Sequence, residues 1–258
     1  MFAENIPLRF AGADQVACLR EMTGRDEFSV EGSDTANAIS LLGNLLHAAS
    51  NAKTVGAADL VASDRDCLLA AVYKRAFGDR IEGTLNCVRC DQPFDLNFSL
   101  VQVMESVAKR QQVRELLDLK DGYFKTPKGT RFRLPTGNDE LAVVGLSPAE
   151  AETVLLSRCA EGDEWQEERI DLEDFLEQVA PLIDLELVAR CAECGHLHTV
   201  QFDIQTYLLG AIASERRRLL SDINCIAGAY SWSLDEILSL TRSDRRHLVE
   251  LIENQYAA

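Results

Sequence analysis

The chain has 258 residues, 47% hydrophobic, with 26 basic and 42 acidic side chains and a formal net charge of −16. That length allows one large or two small domains, and the charge opposes binding to nucleic acid, whose affinity rests largely on neutralised phosphates. Met1-Phe2-Ala3-Glu4-Asn5 lacks a basic segment leading into an apolar one, and no run is long enough for membrane insertion, so neither a signal peptide nor a spanning helix is expected.

In chain order, residues 1–33 read as mostly irregular, with one short strand at Ile6-Pro7-Leu8-Arg9-Phe10. Asp34 suits the N-cap of a helix carrying Ile39, Leu42, Leu45 and Leu46. Ser63 and Asp66 resemble a capping box for a second helix with Leu68, Leu69, Val72, Tyr73 and Phe77, ended by Gly78. A strand-turn-strand unit follows. Beyond Leu100 a helical stretch carries Val103, Val107, Val113, Leu116 and Leu117. Tyr123-Phe124-Lys125 and Arg131-Phe132-Arg133-Leu134 flank turn residues and predict a hairpin. Ser147-Pro148 opens a helix to about Cys159, and Asp171 opens another through Phe175, Leu176 and Val179. After a second strand-turn-strand unit, Leu208, Ile212, Leu219, Ile223, Ile226 and Tyr230 form an apolar stripe over about six helical turns. Ser233 and Glu236 box a short helix, Thr241-Arg242-Ser243-Asp244 is a break, and a last helix carries Leu248, Leu251 and Ile252.

The two strand-turn-strand units carry the chemistry. Cys87-Val88-Arg89-Cys90 and Cys191-Ala192-Glu193-Cys194 sit at their tips, about 100 residues apart. Asp91 and Gly195 follow, residue types that tolerate a left-handed backbone. Two such tips facing each other supply four thiolates, the tetrahedral set preferred by structural Zn²⁺. A redox pair, a pair of disulfides and cysteines packed as small hydrophobes are the alternatives. Redox pairs open helices rather than join strands, and a chain without a secretory signal points to a reducing cytosol. His196 and His198 could replace a ligand but more naturally decorate the strand surface. Cys18, Cys67, Cys159 and Cys225 read as buried small side chains.

The expected fold is α+β: a small antiparallel zinc-ribbon-like core from the two hairpins, with surrounding helices and a helical C-terminal region. The segments are 1–77 (irregular and helical), 78–204 (zinc-bearing core with a helical insertion) and 205–258 (helical). Residues 147–186 hold 2 basic and 13 acidic side chains, read as a solvated face or a dock for a basic partner. No phosphate loop, nucleophile elbow or open-site zinc motif is present, and four thiolates leave no open position for water.

Phe77-Gly78-Asp79-Arg80-Ile81, Arg131-Phe132-Arg133-Leu134-Pro135-Thr136-Gly137-Asn138-Asp139, Cys191 through His196 and the tail Tyr230 through Leu240 occur together. That combination resembles the zinc-knuckle baseplate proteins of contractile-tailed phages and phage-tail-like injection systems, over roughly residues 34–255. The resemblance implies a non-enzymatic structural component of a baseplate or tail hub, cytoplasmic during assembly and then part of the particle. Its implied partners are other baseplate, hub or spike subunits, with no nucleic acid. It implies Cys87, Cys90, Cys191 and Cys194 as ligands of a structural Zn²⁺, and Trp232 with Leu234, Ile237 and Leu238 as a docking element. For Trp232, an aromatic packed between two helices is the alternative. Rival functions are a transient assembly chaperone, a zinc-ribbon nucleic-acid binder and a metal-dependent hydrolase.

Overall fold

A computed structural model describes residues 4–10, 16–47, 55–110, 122–126, 128–162, 164–166 and 169–256. The elements are β1 (Glu4–Pro7), β2 (Val16–Leu19), α1 (Gly24–Ser29), α2 (Thr35–Leu45), β3 (Leu46–His47), α3 (Ala62–Phe77), β4 (Arg80–Asn86) and β5 (Pro93–Ser99). Then come α4 (Leu100–Arg110), β6 (Tyr123–Lys125), β7 (Arg131–Arg133), α5 (Gly137–Ala142), α6 (Pro148–Cys159) and α7 (Arg169–Val179). The chain continues through β8 (Asp184–Arg190), β9 (Leu197–Asp203), α8 (Ile204–Ser214), α9 (Arg216–Tyr230), α10 (Leu234–Leu238) and α11 (Arg242–Tyr256). Helices and antiparallel strands mix, as an α+β chain should. No described helix is long and apolar enough to cross a membrane.

The chain gathers into two units. One comprises residues 1–6, 16–54 and 205–258, the other residues 7–15 and 55–204. In the first, β1, β2 and β3 form a sheet in that order. Helices α9, α10 and α11 pack through Ile226, Ile237 and Ile252, with Ile223, Tyr230, Leu248 and Val249 around them. In the second, Phe132, Leu156, Trp165 and Leu172 make one cluster, joined by Phe124, Phe175 and Leu176.

Several local expectations hold because local chemistry sets them. The Asp34 side chain accepts the Asn37 N–H and starts α2. Gly78 ends α3 at φ 92°, a conformation open to glycine. Ser147, with Glu150 reaching back to it, starts α6 with Pro148 in its first turn.

Others need correction. Ser63 and Asp66 are no capping box: α3 starts at Ala62 after Val61, and Asp66 instead accepts the Ile183 N–H at 2.9 Å. Residues 16–29 are not irregular but hold β2 and α1, whose short lengths leave too few positions to show a period. The C-terminal stripe is two helices broken at Glu215, and α11 begins at Arg242 within the expected break. The expected helical positions Val113, Leu116 and Leu117 lie outside the described residues.

Asp66 supplies a test of packing inside the second unit. Burial pushes its carboxyl up to about 7, outweighing the Ile183 hydrogen bond and the Arg65 charge, while Asp203 and Glu140 add to the rise. The folded protein therefore keeps a proton between about pH 4 and 7 that the unfolded chain releases, so stability falls as pH rises through that window. The Asp66 contribution is of order 4 kcal/mol across it. Asp66→Asn, which keeps a carbonyl acceptor for Ile183, should flatten this slope. Urea unfolding of both proteins at pH 4.5 and 8 checks it, and parallel slopes would refute it.

Candidate metal centre

Each cysteine pair sits at the closed end of an antiparallel hairpin, β4–β5 and β8–β9, each with seven paired positions. The hairpins match residue for residue at an offset of 104, from Arg80/Asp184 through Cys87/Cys191 to Leu100/Ile204. The turns match bond for bond. The Cys87 and Cys191 N–H groups each donate at 2.9 Å, to the Gln92 and His196 carbonyls. The Asp91 and Gly195 N–H groups return to the Cys87 and Cys191 carbonyls at 2.8 and 3.0 Å. Asp91 and Gly195 both take left-handed backbone, at φ 55° and 71°. That conformation turns each chain tightly enough to bring both its sulfurs to the tip.

The hairpins face each other through equivalent residues, an internal version of a two-fold interface. Phe98 meets its counterpart Phe202 edge to face at 5.0 Å, and Phe94 meets its counterpart His198 at 4.9 Å. Cys87, Phe94, Ala189 and Cys191 are buried between them, with Leu85, Leu96 and Val200 alongside.

The same pseudo-symmetry assembles the thiols. Cys87 Sγ lies 3.5 Å from Cys194 Sγ, and Cys90 Sγ lies 3.7 Å from Cys191 Sγ. All four sulfurs fall within 4.8 Å of one another, and all eight cysteines, these four included, are unbridged. A tetrahedral centre with metal–sulfur bonds of about 2.3 Å has edges of about 3.8 Å. The four sulfurs therefore fit one metal ion of that kind, and they are too far apart for disulfides.

The electrostatics favour thiolate at Cys87 and oppose it at Cys90. Burial alone would raise the Cys87 thiol, but the N–H groups of Arg89 and Cys90, then His198 and Cys194, bring it down to about 5. The Arg89 N–H lies 3.4 Å from Cys87 Sγ. At Cys90 the Gln92 N–H lowers the thiol, but burial and the neighbouring Cys194, Cys87 and Cys191 push it up to about 12. Sulfurs this close cannot all ionise without a cation among them. His198 Nε2 is 3.3 Å from Cys87 Sγ, so in the tautomer carrying that proton it donates to the sulfur. His196 packs edge-on against the His198 ring at 4.9 Å.

The C-terminal residues divide. Trp232 is 39% exposed and stacks obliquely on Tyr230, and Leu234 is 55% exposed. Ile237 and Leu238 are 0% and 6% exposed, spent on the core of the first unit. Ile237 packs with Ile226 of α9 and Ile252 of α11.

A feature the sequence reading passed over is a turn built twice. Thr23-Gly24-Arg25-Asp26-Glu27 and Thr136-Gly137-Asn138-Asp139-Glu140 share a spacing and an offset of 113. Asp26 accepts from the Thr23 N–H and hydroxyl, both at 2.8 Å, and from both Nη atoms of Arg20 at 2.6 Å. Asp139 does the same with Thr136 and Arg133, and adds Arg158 Nε at 2.8 Å. Against the cost of burial, these bonds hold both carboxyls below the usual range. The signal was in the repeated Thr-Gly-x-Asp-Glu string, which a search for internal repeats finds.

The comparisons with known proteins bear on these features together. No curated protein and no solved structure matches the chain. The family model described as T4 bacteriophage base plate protein matches residues 11–209, a span holding both cysteine hairpins and both Thr-Gly-x-Asp-Glu turns, and the chain belongs to that family.

Proposed function

We propose that this protein is a non-enzymatic structural component of the baseplate or tail hub of a contractile phage tail or related injection system. Family membership itself implies a structural role in a phage baseplate, among other baseplate components and within the particle. The finer reading is that the chain stays in the finished particle, holds one structural Zn²⁺ through Cys87, Cys90, Cys191 and Cys194, and docks through Trp232 and Leu234. The observation that supports it most is the closure of the four thiols around one point. A closed thiolate set rigidifies a scaffold and leaves no coordination position for a reacting water.

The exposed pair Trp232 and Leu234 gives the test. Removing residues 231–258 would strip Ile237, Ile252 and Arg245 from the first unit, so the clean variants are Trp232→Ala and Leu234→Ser at the surface. Both should keep wild-type thermal stability within about 0.5 kcal/mol. Trp232→Ala should lower recovery of the chain in purified particles at least several-fold. Equal recovery of both variants would remove the docking role. Presence of the wild type in assembly intermediates but not in particles would favour the chaperone reading instead.

A further inference from the structure

The two-fold relation between the cysteine hairpins breaks beside one sulfur. Phe98 and Phe202 are the same residue at equivalent positions, but Phe94 on the first hairpin corresponds to His198 on the second. Phe94 is 5% exposed, so a phenyl ring already fills this place on one side of the interface. Packing therefore does not call for an imidazole at 198. What the imidazole adds is a donor. Its Nε2 lies 3.3 Å from Cys87 Sγ, whereas Phe94, in the same buried cluster as Cys191, has none to offer.

The imidazole is held for that contact. The Phe94 ring lies 4.9 Å away, tilted by 36°, and the His196 ring meets it at right angles, also at 4.9 Å. The backbone beneath it is fixed by strand pairing, with Ala189 opposite His198, and by the His196 carbonyl, which accepts the Cys191 N–H at 2.9 Å. The receiving sulfur is crowded. Cys87 is 1% exposed, and its Sγ lies 3.5 Å from that of Cys194. Four thiolates around one divalent cation leave a net negative charge, and beside a buried sulfur each N–H aimed at it counts for more than it would in water. The Arg89 N–H approaches the same sulfur at 3.4 Å. Cys87 thus takes donors from both hairpins: backbone from its own, a side chain from the other.

We infer that His198 is a positioning residue of the metal centre, whose N–H holds the Cys87 thiolate from the opposite hairpin and sets how tightly the ion is kept. This role rests on the reading of the four thiols as a metal site. The full chain loaded with Zn²⁺ or Co²⁺ alone provides the test, with His198→Phe, His198→Gln and Phe94→His beside the wild type. His198→Phe gives both hairpins the ring that the first already carries. It should bind metal about 10–100-fold more weakly, the usual cost of losing such an outer partner. Its sulfur-to-cobalt charge-transfer absorption should also move to lower energy, because a thiolate without that hydrogen bond gives up electron density more readily. His198→Gln, whose amide nitrogen reaches the place of Nε2, should recover most of both. Phe94→His puts a donor at the equivalent place beside Cys191 and should move the absorption to higher energy. Weaker binding in His198→Phe with an unmoved band would assign the effect to packing and overturn the role, as would wild-type affinity in that variant; either result leaves the four-thiol metal site standing. If His198→Phe does not fold, Phe94→His decides, and a band at the wild-type energy overturns the role. Wild type that takes up neither ion overturns the metal reading and this role with it.

Discussion

Purified without chelators, the protein should carry one zinc ion per chain, and stripping it should cost more stability than any other single change considered. The four sulfurs within 4.8 Å of one another define the site, and their ligands come from hairpins separated by 104 residues. A metal there ties β4–β5 to β8–β9 directly, over an interface otherwise made mainly of Phe94, Phe98, Phe202 and a few aliphatic side chains. Binding free energies for structural zinc run to about 10–16 kcal/mol in small domains, and that energy is folding energy. Here the hairpins have their own packing, so a loss of several kcal/mol is expected rather than complete unfolding. Cys191→Ser should reduce bound metal severely, because Cys191 is 1% exposed and its pair Cys90 would keep only two other thiols. Elemental analysis gives the stoichiometry, and urea unfolding with and without chelator gives the coupling. Metal well below one equivalent in a fully folded protein would defeat the prediction.

Breaking the buried ion pair of the first unit should cost about 3–5 kcal/mol, because the charge left behind stays buried. The side chains of Arg245 and Glu27 are 1% and 5% exposed, and Arg245 also donates to the Leu240 carbonyl at 2.8 Å. Arg245→Met strands the Glu27 carboxylate. Glu27→Leu strands the guanidinium. The double substitution removes both charges and should recover most of the loss, since exchange of a buried pair for apolar side chains is often neutral. Gly24 belongs to the same joint: a Cβ there would stand 2.7 Å from Arg245 Nη1 and 3.3 Å from the Leu238 Cα, so Gly24→Ala should also destabilise. Urea midpoints for the two single variants and the double variant decide the matter. Additive losses in the double variant would show that the two groups act separately and not as a clasp. The counterpart Arg65–Glu140 should respond more weakly, because the Glu140 side chain is 23% exposed and water can reach it.

Much of the candidate site was legible without coordinates because its parts are local. A Cys-x-x-Cys string followed by Asp91 or Gly195 between alternating strands already specifies a tight left-handed turn with two sulfurs at the tip. Asp34, Ser147 and Ser233 announce helix starts because a side-chain oxygen or its capping box satisfies N–H groups within three residues. The α+β mixture follows from the change of apolar period along the chain. Against that, α1 was hidden because a six-residue helix has too few positions to show a period. The break at Glu215 falls in the one longer step of the stripe, from Ile212 to Leu219, a step that two turns of an unbroken helix also leave on one face.

What the sequence by itself determined is therefore the set of pieces: two matched cysteine hairpins, their turns and the capped helices. The tertiary structure decided the pairings. It set Cys87 beside Cys194 and Cys90 beside Cys191, closed the Thr23 turn with Arg245 and the Thr136 turn with Arg65, and buried Ile237 and Leu238 while leaving Trp232 and Leu234 at the surface. Those choices join residues 75 to 218 positions apart. No short-range signal encodes them, because each arises from which surfaces can be removed from water together, and that is a property of the whole folded unit.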